Sequence, residues 1–250
     1  HHRSALDDEG WDGVLFRNVA NGWVRRCAFL NMNSGVYLRD SAFCSLLENR
    51  LAGNRGHYDF SVRANSSFNL MGVTEESAGP QHSCSTGNHS AGTVVWRWKM
   101  TPESSVDSHG NGPYATLIDC VQGGTMSRSG GPAPSFPNHL RWLVFWNFSY
   151  DADDPQPINL WNYVKGKEAK FVKPLFVGLH GKPVTLVPEA LAGNELPGTK
   201  VQPESLYEAQ LALRLGKVPD WVAASQKEWE KVRALELPPH GIADIPKHDL

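Results

Sequence analysis

The chain is predicted to be all-β, a right-handed parallel β-helix finished by a C-terminal helical cap or tail, and three observations carry that expectation. Short strand-like segments recur every 22 residues, a second set of apolar strands runs between them, and beyond Pro203 the hydrophobic spacing turns from period two to helical. The boundaries read as coils over residues 1–200 and a helical segment over 201–250.

The repeat emerges when Val14-Leu15-Phe16-Arg17-Asn18, Val36-Tyr37-Leu38-Arg39-Asp40 and Tyr58-Asp59-Phe60-Ser61-Val62 are laid beneath one another, each offset by 22. The first and third residues are large and apolar and the fourth is polar, the alternation of a strand with one buried face. The second ladder comprises Val24 to Asn31, Ser45 to Arg50, Asn69 to Val73, Thr93 to Trp98, Thr116 to Val121 and Leu140 to Phe148. Two strands per coil joined by Gly and Asn turns describe a solenoid, and the leucine positions and helices of a leucine-rich repeat are missing. Thr74 to Ala91, Thr101 to Pro113 and Gly123 to Pro137 read as long loops on the rigid stack, the usual place for a binding site. The run from Leu206 to Leu215 and a second run opening at Pro219-Asp220 read as amphipathic helices covering the open end of the stack.

Composition narrows the function classes. The 23 Gly, 17 Pro and 9 Trp with 20% charged residues fit a turn-rich β protein. A net charge of -2 lacks the basic excess of a nucleic-acid or anionic-membrane coat, and no apolar run is long enough to span a bilayer. The start at His1-His2-Arg3 reads as that of a segment or processed product. Cys27, Cys44, Cys84 and Cys120 show no zinc spacing; Cys27, Cys44 and Cys120 sit in apolar runs and are expected as buried thiols.

Alternation places Leu15 with Arg17, Tyr37 with Arg39, and Asp59 with Ser61 on one exterior face, close to His57. Stacked guanidinium groups repel unless anions satisfy them, and uronate carboxylates would do so. β-Elimination on an acidic glycan needs a cation for the sugar carboxylate, a base for the C5 proton and an acid for the leaving oxygen. Arg39, His57 and Tyr37 are the expected catalytic residues, with His109 beside them; Arg17, Arg55, Arg63 and the loop histidines His82 and His139 are expected to bind substrate. Asp107 and His109, two apart, form either a base with its orienting carboxylate or half of a metal site, and no third ligand stands at a recognisable spacing. No metal is therefore assigned, although Ca²⁺ stays open as a cofactor. Trp96 and Trp98 alternate with Arg97 and are expected on one face, as core or as a sugar-stacking platform. The carboxylates Asp7-Asp8, Asp107, Asp119 and Asp151 to Asp154 form no convincing hydrolase pair.

Asn54-Arg55-Gly56-His57, the Thr93 to Trp98 strand, Asp107-Ser108-His109, Asn138-His139-Leu140 and the tail Pro203-Glu204-Ser205-Leu206-Tyr207-Glu208-Ala209-Gln210-Leu211 occur together. In these the chain resembles an uncharacterised bacterial family with a pectin-lyase-like β-helix. The resemblance implies the fold, a secreted or periplasmic location, further coils upstream of His1 and a polysaccharide partner. The expected function is a polysaccharide lyase on a uronate-containing glycan, with a glycoside hydrolase or a non-catalytic glycan-binding β-helix as alternatives.

Overall fold

A computed structural model describes residues 12–127, 133–162 and 172–237; Asp7 and Asp8 lie outside the described residues. One sheet stacks Asp12–Arg17, Ser34–Arg39, Tyr58–Arg63, His82–Thr86 and Val106–Ser108. The longer sheet runs through Trp23–Arg25, Ser45–Leu47, Leu70–Glu76, Val94–Lys99, Thr116–Asp119, Leu143–Trp146, Leu175–Val177 and Gly193–Glu195. Each pairing within these two stacks is parallel and joins one coil to the next. The fold is the expected parallel β-helix.

Its interior is a set of stacked apolar rungs. Val24, Leu46, Met71, Val95, Ile118, Phe145 and Phe176 are register partners along the longer sheet, and Val36, Phe60, Cys84 and Val106 along the shorter one. All are buried in one continuous cluster. Burying each such side chain stabilises the fold by about 1.5–3 kcal/mol, which explains why the apolar alternation is so legible.

The coil length is not a constant 22. Val14 pairs with Val36, but Val36 pairs with Phe60 and Phe60 with Cys84, steps of 24. Slipping by two residues keeps each side chain on its face, so the inside–outside reading survives while the neighbours change. Arg39 lies beside Arg63 rather than Ser61. Two of the expected loops also hold strands, His82–Thr86 and Val106–Ser108. They escape a hydrophobic pattern because their sequences, HSCST and VDS, are nearly all polar, yet every residue is buried.

Left-handed residues turn the corners of the coil. Arg26, Glu48, Val73, Arg97, Cys120 and Asn147 all have φ between 49° and 58°. Such residues bond across coils to the residue just before the next corner, as when Cys120 N–H donates to Trp146 O and Glu48 N–H to Gly72 O. Asparagine side chains close neighbouring corners: Asn49 Oδ1 accepts from Cys27 N–H while its Nδ2 donates to Val24 O. Asn69 does the same for Cys44 N–H and Ser41 O.

The positive φ of 51° at Arg97 breaks the alternation of its strand. Trp98 joins the interior cluster, whereas Trp96 packs on the outer side beneath the C-terminal helices. The two tryptophans therefore do not share a face, and both are fully buried, which removes them as a sugar platform. Gly72 makes room for this arrangement, since a Cβ there would lie 2.4 Å from Trp96 O.

The helices α1, Leu206–Leu215, and α2, Asp220–Ala234, follow the sequence signals closely. Ser205 caps α1 by accepting from Glu208 N–H, and Gly216 ends it in the left-handed region. They do not cover the open end of the stack as expected but lie along its flank, because Leu211, Val222 and Trp229 pack with Leu47, Leu70, Val73 and Trp96 on the outer side of the longer sheet. Among the described residues no helix is long and apolar enough to cross a membrane. The four cysteines are free, and Cys27 is exposed rather than buried, because it occupies an outer corner of its coil.

Candidate functional site

The outer side of the shorter sheet carries two in-register columns. Arg17, Arg39 and Arg63 form one, and Leu15, Tyr37, Ser61, Ser85 and Asp107 form the other. Side chains in a column repeat at about 4.8 Å, the strand spacing. Arg17 is exposed, and Arg39 Nε lies 3.5 Å from Asp40 Oδ2. Arg63 is held more firmly: its Nε donates to Ser61 Oγ at 2.7 Å and its Nη2 to Ser85 Oγ at 3.2 Å. Its guanidinium carbon sits 5.4 Å from the centre of the Tyr58 ring.

A corner shapes the near edge of this face. Residue pairs Ser34–Tyr58 and Val36–Phe60 are in register, with Gly35 and Asp59 outside the regular pairing. The side chain after the corner turns inward, as Ser83 shows by accepting from Trp98 Nε1 at 2.8 Å. Asp59 is likewise buried and faces Glu76, so it leaves the exterior face on which alternation had placed it. Tyr58 takes its place outside, with its ring 6.2 Å from that of half-buried Tyr37. Burial raises the Tyr58 hydroxyl above its ordinary range and keeps it protonated at neutral pH, against the opposing pull of Ser34 and Arg63.

From Tyr58 a row of imidazoles continues across the strands. The His57 ring lies 5.2 Å from that of Tyr58 and 5.4 Å from that of His82, and His82 lies 5.7 Å from His109. The His57 backbone is fixed by its N–H donating to Asn33 O at 2.9 Å. Asp107 closes the row: its Oδ2 is 2.8 Å from His109 Nδ1, 3.9 Å from His82 Nδ1 and accepts from Ser85 Oγ at 2.9 Å. Ser85 thus links Arg63 to Asp107.

Electrostatics sort these groups. Burial pushes His82 down to about 4, assisted by the positive charge of its neighbours and opposed by Asp107. Burial alone would raise the Asp107 carboxyl, but His82, His109 and Arg63 together hold it below its usual range. At neutral pH His82 is a neutral imidazole and Asp107 a carboxylate. His109 keeps 23% of its side chain exposed and opens the row to solvent.

Most of the expected site residues therefore converge: Tyr37, His57, Arg63, His82, Asp107 and His109 share one face, with Arg39 and Arg17 farther along it. Arg39 is three strands from Asp107, roughly 14 Å, too far to act on the same sugar as His109. Arg55 precedes the third strand, half-buried, with its Nε buried and unpaired. His139 does not belong to the face. It is fully buried with Nε2 3.0 Å from Thr116 Oγ1, and burial pushes it down to about 3. Sequence reasoning missed Tyr58 and Ser85, Tyr58 because the corner at residue 59 reverses the alternation. The third partner for Asp107 and His109 was missed because His82 lies on the preceding coil, and only the 22-residue step from Ser85 to Asp107 relates them.

Residues 79–225 match the model of a family described as a domain of unknown function (DUF4955). No curated protein and no solved structure matches the chain.

Proposed function

The chain belongs to this family, and from that premise we propose that it binds an extended uronate-containing glycan along the arginine column and cleaves it by β-elimination at the tyrosine–histidine row, in a secreted or periplasmic setting. One observation carries the reading: Arg63, Tyr37, Tyr58 and His57 meet on a single exterior sheet face, at the end of a line of guanidinium groups spaced along the solenoid axis. Arg63, ordered by Ser61 and Ser85 and set against the Tyr58 ring, supplies the cation for the sugar carboxylate in place of Arg39, which is exposed and beside Asp40. His57 is the base for the C5 proton and Tyr37 the acid toward the leaving oxygen. Arg39 and Arg17 engage carboxylates of the neighbouring sugars, because a polymer laid along the stack meets one guanidinium per coil.

Hydrolysis through two carboxylates fits less well. Asp107 is the carboxylate within the row and is bonded to His109 and Ser85, while the buried pair Asp59 and Glu76 is turned inward. The test is incubation with a panel of uronate polysaccharides, following the ultraviolet absorbance of unsaturated ends beside a reducing-end assay. Absorbance should rise, and Arg63→Ala and His57→Ala should each lower turnover by about 100-fold or more, with Arg17→Ala affecting mainly KM. New reducing ends without absorbance would replace elimination by hydrolysis, and binding without either product would make the face a glycan-binding surface.

A further inference from the structure

We propose that His82, Asp107 and His109 form a binding site for a first-row transition-metal dication, with Zn²⁺ as the reference ion. The inference deepens the reading above, since the ion would lie at the end of the same row and face the same glycan. The Asp107–His109 bond alone would be explained by a carboxylate orienting an imidazole. Two further atoms are not explained that way. His82 Nδ1 and Asp107 Oδ1 are both buried and have no hydrogen-bond partner, in side chains that are 1% and 0% exposed. Leaving such groups unpaired costs on the order of 1–3 kcal/mol each, and a cation bound by His82 Nδ1 and by both oxygens of the Asp107 carboxylate would satisfy them.

The geometry fits one ion. Ligands held at about 2.1 Å in a tetrahedral shell stand about 3.4 Å from one another. The separations from Asp107 Oδ2 to His109 Nδ1 and to His82 Nδ1, 2.8 and 3.9 Å, bracket that value, and ligand atoms of all three residues lie within 4.8 Å of each other. Two imidazoles and one carboxylate match the ligand preferences of zinc and its neighbours, whereas Ca²⁺ and Mg²⁺ take oxygen donors. Ca²⁺, open as a cofactor on sequence alone, finds no oxygen-rich cluster in these three residues. Three protein ligands leave coordination positions free, and the partly exposed His109 gives an entry path for the ion and access for a substrate oxygen.

The assignment also explains why polar strands are buried here. His82–Thr86 and Val106–Ser108 place a histidine from one coil against the Asp–His pair of the next, and neither strand has an apolar outer face to recommend it. A bound ion would couple the two coils at a point where hydrophobic packing is confined to the Cys84–Val106 rung.

The test uses the whole protein, stripped with a chelator and dialysed, then titrated with Zn²⁺ by calorimetry and with Co²⁺ by visible absorption. Wild type should bind a single strong equivalent, give the d–d bands of a low-coordinate Co²⁺ site, and show a higher melting temperature with the ion. His109→Gln, at the most exposed ligand, and Asp107→Asn should each weaken binding by about 100-fold or more. Circular dichroism of each variant checks that it is folded, and His139→Gln serves as a control that should leave affinity unchanged. Absence of strong binding to wild type, equal affinity in folded His109→Gln, or a preference for Ca²⁺ over Zn²⁺ would overturn the proposal. Failure of the glycan reading stays distinguishable, because these readouts contain no substrate: strong Zn²⁺ binding with no polysaccharide product retains the metal site and removes the lyase. Product formed by stripped protein that binds no Zn²⁺ does the reverse.

Discussion

Replacing Arg97 with alanine is expected to destabilise the protein by about 3–5 kcal/mol and to loosen the two C-terminal helices from the solenoid. Arg97 is 3% exposed at the corner of its coil, with Nε donating to Glu208 Oε1 at 2.5 Å and Nη2 to Glu204 Oε2 at 3.0 Å. Glu208 also accepts from Trp96 Nε1 at 2.9 Å and, through Oε2, from Gln226 Nε2 at 2.6 Å. One carboxylate on α1 thereby gathers donors from the sheet and from α2. Removing the guanidinium leaves that partly buried carboxylate with only neutral donors. For a chain of this size the loss corresponds to a melting temperature lower by roughly 10 °C. The double variant Arg97→Met with Glu208→Leu should recover part of it, because no buried charge is left, but not all, since Trp96 and Gln226 lose their acceptor. Thermal melts of wild type and the two variants settle the matter; an Arg97→Ala protein melting within about 2 °C of wild type would show the strap to be energetically idle.

That strap separates what the sequence made legible from what it did not. The helices were readable from Ser205, Gly216 and the apolar spacing, because capping and amphipathicity are local. Their docking surface was not. It depends on Trp96 facing outward, which follows from the left-handed backbone at Arg97, and nothing local marks an arginine flanked by tryptophans as a corner. The same cause explains the Asp59 misreading: period-two alternation holds along a strand and fails at a bend, and a β-helix bends several times per coil.

The site was legible in part for a related reason. Arg63, His57, Tyr37, Asp107 and His109 were chemically conspicuous, and Tyr37 stood within a strand whose apolar alternation is plain, whereas Asp107 and His109 fell in a segment that reads as a loop. Which of them touch is decided by coil lengths of 22 or 24 residues, so a two-residue insertion moves Arg39 away from Ser61 and brings Arg63 beside it. His82 joined the group only once the polar segment around it proved to be a strand. Trp96, Trp98 and His139 show the converse: residue types that often bind sugars are, here, packing and internal hydrogen-bonding groups.

A second large effect is expected from pH. Glu76 is fully buried, and burial pushes it up to about 7 from an ordinary 4.5, even though Gly79 N–H and Thr101 N–H donate to it; its charge in turn helps to raise the buried Asp59. A carboxyl whose folded value is raised contributes stability that is fully present below its unfolded value and is lost as pH rises through the folded one. The window is therefore about 4.5 to 7, and the loss across it is on the order of 3–4 kcal/mol. His82 and His139, both lowered by burial, act in the opposite direction below about 6.5, so the wild-type curve alone mixes the terms. The difference between wild type and Glu76→Gln removes the histidine contributions and leaves Glu76 with its effect on Asp59. At about pH 4.5 a protonated Glu76 and a glutamine are near equivalents, and the two proteins should melt together; at about pH 8 the variant should be the more stable, by roughly 6–12 °C. A gap of the same size at both ends would mean that Glu76 ionises in the folded protein much as it does in the unfolded chain, and that the inward-facing pair carries no proton at neutral pH.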